Sequence, residues 1–188
     1  MKALNDAHEL EYEKMPEVVA KAPGRFHLAG EHSWFYKDKT ISMAMNLYVH
    51  IAVSKRDDGL AKIYFHQLND RKKITISTNK FRKEDKWANA VKSVIYGFTS
   101  GGFSIGGVDI TVYTDIMPSA GFGITTAMKA ATAIALRKLF ELNCSDVQLL
   151  QVLERGNRLF LKRNNFLSDN YAALFAKKGS LIITDYAK

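Results

Sequence analysis

Apolar positions along the chain change period several times, and the changes mark the elements. Val18 to Ala22 and Phe26 to Ala29 are strand-like, separated by Pro23-Gly24. Leu47 to Ser54 alternates and is rich in β-branched and aromatic residues, which predicts another strand. The turn signal Asp57-Asp58-Gly59 leads into a strand over Ala61 to His66, and Lys73 to Ser77 adds one more. The period then becomes helical. Trp87, Ala90, Val91, Val94 and Ile95 recur at i, i+3, i+4, i+7 and i+8 within a helix predicted over Lys83 to Phe98, which runs out at Gly101-Gly102. A strand over Val108 to Tyr113 follows, then helices over Thr125 to Leu139, Asp146 to Leu161 and Asn170 to Ala176, and a last strand over Ser180 to Thr184. Residues 1 to 15 read as a polar helix or arm. Strands first and a mixed βαβ-like region afterwards predict an α+β domain.

Composition narrows the class. The chain has 188 residues, 47% hydrophobic and 24% charged, enough for one domain with a sizeable core and not the balance of a disordered chain. No apolar run approaches the roughly 20 residues that span a bilayer, and the polar N-terminus carries no signal-peptide pattern. The single cysteine, Cys144, cannot form an internal disulfide, which fits a reducing compartment and a cytoplasmic location. The net charge of +8 suits anionic partners. No run of like charges and no basic-aromatic stripe accompanies it, so it reads mainly as lysines and arginines scattered on solvated faces, and nucleic acid is disfavoured, with no membrane expected as a partner.

Two segments carry candidate chemistry. The first is Met117-Pro118-Ser119-Ala120-Gly121-Phe122-Gly123, between a predicted strand and the helix that opens with Ile124-Thr125-Thr126. Glycines let a ligand approach the backbone, and a helix start presents unpaired N–H groups to an anion. The Thr125 and Thr126 hydroxyls are further candidates for phosphate or magnesium. No Gly-Lys-Ser/Thr follows, so this is not a Walker A loop. The second is Lys21-Ala22-Pro23-Gly24-Arg25-Phe26-His27-Leu28-Ala29-Gly30-Glu31-His32, in which charged residues at turns flank apolar strands.

Together these segments resemble those of the GHMP kinases, and within that superfamily of galactokinase. Trp87-Ala88-Asn89-Ala90-Val91-Lys92 is similar to a galactokinase helix, and Ser168-Asp169-Asn170, Gly179 and Asp185 keep a galactokinase spacing. The resemblance implies a mixed sheet packed on helices, the ribosomal protein S5 domain 2-like fold of the family's ATP-binding N-terminal domain, over residues 16 to 188 after an arm or helix at 1 to 15. It implies phosphoryl transfer from ATP, with Mg²⁺, to a small-molecule hydroxyl, a sugar above all. Asp169 would take or orient the hydroxyl proton, and Arg25 would stabilise charge beside it. Pro118 through Thr126 would cradle the phosphates.

The departures from the family shape further expectations. Glu31, His32 and Trp34 stand in the sugar-binding segment. Trp34 replaces an acceptor with an indole that can only donate or stack. The family's serine triplet falls on Gly123-Ile124-Thr125. Asn157 falls where the family places its magnesium-binding glutamate, so Thr125 and Glu154, one turn earlier on the same helix face, are the expected metal ligands. The segment Lys162-Arg163-Asn164-Asn165-Phe166 replaces a glycine-containing turn. Family members continue into a second domain. Its absence from this chain implies an open face and a possible homodimer through it. A mevalonate-kinase-like enzyme and a non-catalytic nucleotide- or sugar-binding relative are the alternatives.

Overall fold

A computed structural model describes residues 2–163 and 167–187. Asn164, Asn165 and Phe166 lie outside the described residues. The elements in chain order are α1 (Lys2–Tyr12), β1 (Val18–Ala29), α2 (Ser33–Tyr36), β2 (Lys39–Arg56), β3 (Leu60–Phe65), β4 (Asp70–Thr75), α3 (Ala88–Thr99), β5 (Gly107–Thr114), α4 (Ile124–Leu139), α5 (Asp146–Arg155), α6 (Leu167–Phe175) and β6 (Ile182–Asp185). The strands form one mixed sheet in the order β1-β2-β5-β3-β4, with β6 pairing the start of β2. The β3–β5 pair is parallel and the others are antiparallel. This is the α+β arrangement expected from the pattern.

Alternation along the strands divides the two faces of the sheet. Val108, Ile110 and Val112 of β5 and Ile51 and Val53 of β2 point into one core with Val91, Val94, Ile95 and Phe98 of α3, Leu136 and Leu139 of α4, and Leu149 and Leu153 of α5. Each such side chain, removed from water, contributes about 1.5–3 kcal/mol. The intervening residues Ser54, Asp109 and Thr111 are polar yet buried, because α1 covers that face. His8 of α1 is fully buried there, with Nδ1 2.9 Å from Thr111 Oγ1 and Nε2 3.0 Å from Ser54 Oγ. The Tyr12 hydroxyl donates to the Ile110 carbonyl at 2.9 Å. The N-terminal segment is thus a packed helix.

Several elements differ from their sequence expectation, each for a local reason. Pro23-Gly24 does not end a strand. β1 runs through it with shifts of register at Pro23/Arg25 and at His27/Ala29, since an edge strand tolerates a residue without an N–H at a bulge. β2 begins at Lys39, well before Leu47, because its first half is paired by β1 on one side and β6 on the other. The strand expected over Lys73 to Ser77 is β4, which ends at Thr75 and passes into a 3₁₀ turn at Ile76–Thr78. The helix expected from Lys83 is interrupted at Lys86, whose φ is 42°, so only a 3₁₀ turn at Lys83–Asp85 precedes α3. Asn89 donates to the Arg82 carbonyl, and the buried Lys92 pairs with Asp85. The Trp87 motif therefore pins that turn onto α3. The helix after Ser145 starts on a Ser145–Gln148 capping box and ends in a π turn at Gly156–Phe160.

Burial lowers the His8 pKa from 6.5 to about 4, with the charge of Lys14 adding to the effect. The folded value lies below the unfolded one. The stability associated with neutral His8 is therefore present above pH 6.5 and lost as the pH falls toward 4, by roughly 3 kcal/mol in all. Urea unfolding across this window is expected to show that loss, and His8→Gln is expected to flatten the profile. An equally steep profile in the variant would assign the loss to other groups.

Candidate active site

Arg25 sits just beyond the β1 bulge and is bonded in three directions. Its backbone N–H donates to the Phe122 carbonyl at 2.9 Å, and its Nη1 donates to the Gly121 carbonyl. Its Nε and Nη2 donate to the two oxygens of Asp169, in the first turn of α6, at 2.7 and 3.1 Å. Two glycines make this approach possible. A Cβ on Gly24 would lie 2.6 Å from the Phe122 oxygen, and Gly123, at φ 73°, packs against the Arg25 side chain. Phe122 and Ile124 pack on the core, and Phe122 meets Phe26 edge to face, so apolar contacts fix the loop from below.

Asp169 is buried and also receives a hydrogen bond from His27 Nε2, 2.7 Å from Oδ1. Burial pushes the carboxyl pKa up. The hydrogen bonds from His27 and Arg25, with the charge of Arg25, outweigh this and leave it below the ordinary value. The group is therefore an ionised carboxylate held by a planar fork on one side and an imidazole on the other. His27 carried no motif signal. Its place two residues beyond Arg25 on an extended strand, and so on the same face, is the signal that would have found it.

Helix α4 starts directly after this loop. Gly123 is its N-cap, in the left-handed conformation and without a side-chain cap, so the first-turn N–H groups remain for a ligand. A cavity of about 230 Å³ opens there, lined by Arg25, Ile116, Met117, Ser119, Ala120, Gly121, Phe122, Gly123, Ile124, Thr125, Thr126, Arg163 and Asp169. Most of the candidate site residues from the sequence thus converge on one place, with Met117 at the head of the glycine segment and Arg163 beside them, and Ile116 joins them. Pro118, Glu31, His32, Trp34 and Glu154 lie outside this lining. Glu31, His32 and Trp34 are exposed on the turn after β1 and on the short α2.

Beneath the cavity are groups that sequence reasoning did not connect. Lys129 is fully buried, one helical turn beyond Thr125 on the same face of α4, and its Nζ donates to Asn157 Oδ1 at 2.7 Å. Asn157 is presented by the π turn after α5. Burial pushes the Lys129 pKa down to about 8, with Asp169 and Glu154 opposing the fall and Arg163 adding to it. Glu154 Oε1 accepts from Asn170 Nδ2 at 2.6 Å.

Two family models match the chain. The galactokinase galactose-binding signature covers residues 6–55, and the GHMP kinases N terminal domain covers residues 88–177. Over these two segments the chain is similar to the GHMP kinases. A Treponema pallidum relative, provisionally named galactokinase, is 38% identical over the whole chain, which covers 47% of that relative. The galactokinase of Thermotoga maritima is 28% identical over 89% of the chain and 46% of its own length. The crystal structure of Lactococcus lactis galactokinase complexed with galactose superposes with a TM-score of 0.87 at 20% identity, over 99% of this chain and 49% of that one. The chain thus spans about half the length of the curated relatives it matches. The two family matches include both sides of the Arg25–Asp169 pair.

Arg25→Met would leave the Asp169 carboxylate buried, with His27 as the remaining side-chain donor of the two described above. An unfolding free energy lower by about 3 kcal/mol is expected by urea titration. A loss within about 0.5 kcal/mol would mean that the pair is not the clamp its geometry describes.

Proposed function

We propose that this GHMP-kinase-like domain binds ATP with its phosphates on the Pro118–Thr126 segment and the start of α4, and supports transfer of the γ-phosphoryl group to a hydroxyl of a sugar held near Asp169. The observation that carries this reading is Arg25, which joins the glycine loop to Asp169 through a single guanidinium. Phosphoryl transfer asks a protein mainly for positioning and charge stabilisation. The loop N–H groups, Arg25 and Arg163 supply positive potential where phosphate charge would lie. Both Asp169 oxygens already accept hydrogen bonds, and its pKa is low, which makes the group a weak base. Its role in this reading is to orient the attacking hydroxyl, with His27 and Arg25 fixing its direction.

Galactose is the acceptor we favour, on the galactose-binding signature over residues 6–55 and the galactokinase names of the relatives. Glu31, His32 and Trp34 lie within that segment and would contact the sugar, Trp34 by stacking on its face. A cytoplasmic setting accords with this substrate pair. Binding of nucleotide without turnover is a second reading, favoured by the Lys129–Asn157 pair, which stands where the resemblance implies a metal ligand.

The test pairs ATP calorimetry with mass-spectrometric detection of galactose phosphate. Asp169→Asn is expected to keep ATP affinity within about threefold. It is expected to lower product formation by about 100-fold or more. Wild-type turnover in that variant would remove Asp169 from the mechanism. ATP binding with no product from the unaltered chain would leave the non-catalytic reading.

A further inference from the structure

The magnesium ion implied by the family does not fit the residues present. Among the described residues no group of three or more His, Cys, Asp or Glu side chains could hold a metal ion on its own, so magnesium here would depend on one or two side chains together with the nucleotide's phosphates. Of the oxygen donors beneath the loop, Asn157 Oδ1 is taken by the Lys129 ammonium at 2.7 Å and Glu154 Oε1 by the Asn170 amide at 2.6 Å. A divalent cation at this position would displace an N–H donor and lie beside a buried like charge. An amide is also a weaker ligand for a hard dication than a carboxylate.

We propose that Lys129, held by Asn157, is a built-in cation that takes the place of a protein-bound magnesium ion, so that this domain binds nucleotide phosphate without a metal held by its own side chains. The inference rests on the nucleotide reading above. Lys129 lies one turn below Thr125 and close to Asp169 and Arg163, which line the cavity; Glu154, whose negative charge also acts on Lys129, is engaged by the Asn170 amide. Arg25 and Arg163 add cationic groups around Asp169, the one carboxylate lining the cavity among the described residues, and that carboxylate is already engaged by Arg25. The start of α4 contributes its dipole in the same sense. An anion entering here meets fixed positive charge in a partly desolvated site, where each charge counts for more than it does in water. Magnesium that travels with the nucleotide would be held by phosphate oxygens and water.

The test is ATP binding to the unaltered chain by calorimetry, once with excess magnesium and once with EDTA. Affinity in EDTA that is equal within about threefold, or tighter, supports the inference. A larger loss on chelation overturns it and leaves the nucleotide reading standing. Absence of ATP binding in both conditions overturns the nucleotide reading, and the inference with it. Asn157→Asp supplies a second measurement, because the new carboxylate pairs with Lys129 and leaves the volume almost unchanged. With its fold verified by circular dichroism, the variant is expected to bind ATP in EDTA about fivefold or more weakly. Unchanged affinity would count against Lys129 as the source of the attraction.

Discussion

The planar fork of Arg25 is the interaction on which the site depends. It ties an edge strand, a glycine loop about a hundred residues further along and the first turn of α6 into one body. A lysine could not do this, since an ammonium is a point charge without two parallel donors in a fixed plane. The geometry also requires the rest of the local sequence. The register shift after Pro23 redirects the chain, and Gly24 admits the Phe122 carbonyl to a distance that no side chain would allow. Gly123 then turns the chain into α4. Its position against the Arg25 side chain brings the helix start close to the carboxylate partner of the same arginine.

The core was legible because it obeys two simple periods. The strands centred on β3 and β5 and the helices α3, α4 and α5 follow from alternation and from i, i+3, i+4 spacing. The same patterns failed where pairing, rather than side-chain character, decides the structure. The first half of β2, with Lys39, Ser42 and Asn46, lacks the alternation seen from Leu47 onward and becomes strand because β1 and β6 pair with parts of it. The Trp87 helix was legible as a motif. Its observed work is structural, since Trp87 donates to Asp70 and Lys92 pairs with Asp85, away from the glycine loop.

Within the site, legibility followed distance along the chain. The glycine loop, Arg25 and Asp169 each lie in a short segment with a recognisable pattern, and the fold brings the three together. His27 and the Lys129–Asn157 pair were not visible, because their meaning lies in a partner far away in sequence. Asn157 reads as a loss when it stands alone, an amide in place of a carboxylate. Beside Lys129 it becomes one half of a buried hydrogen-bonded pair, oriented by a π turn that no periodicity predicts. A buried lysine is costly unless it is bonded and surrounded by opposite charge. Asn157, Asp169 and Glu154 supply that environment.

In the proposed function the glycine loop, the bulge of β1 and the start of α6 act as one phosphate-binding unit. Hydrogen exchange of the full chain, with and without ATP, tests it directly. Slowed exchange is predicted at residues 121–127, at 25–27 and at 168–170, with the basic groove formed by residues 73–92 unchanged. Protection in that groove with none at the glycine loop would contradict the account.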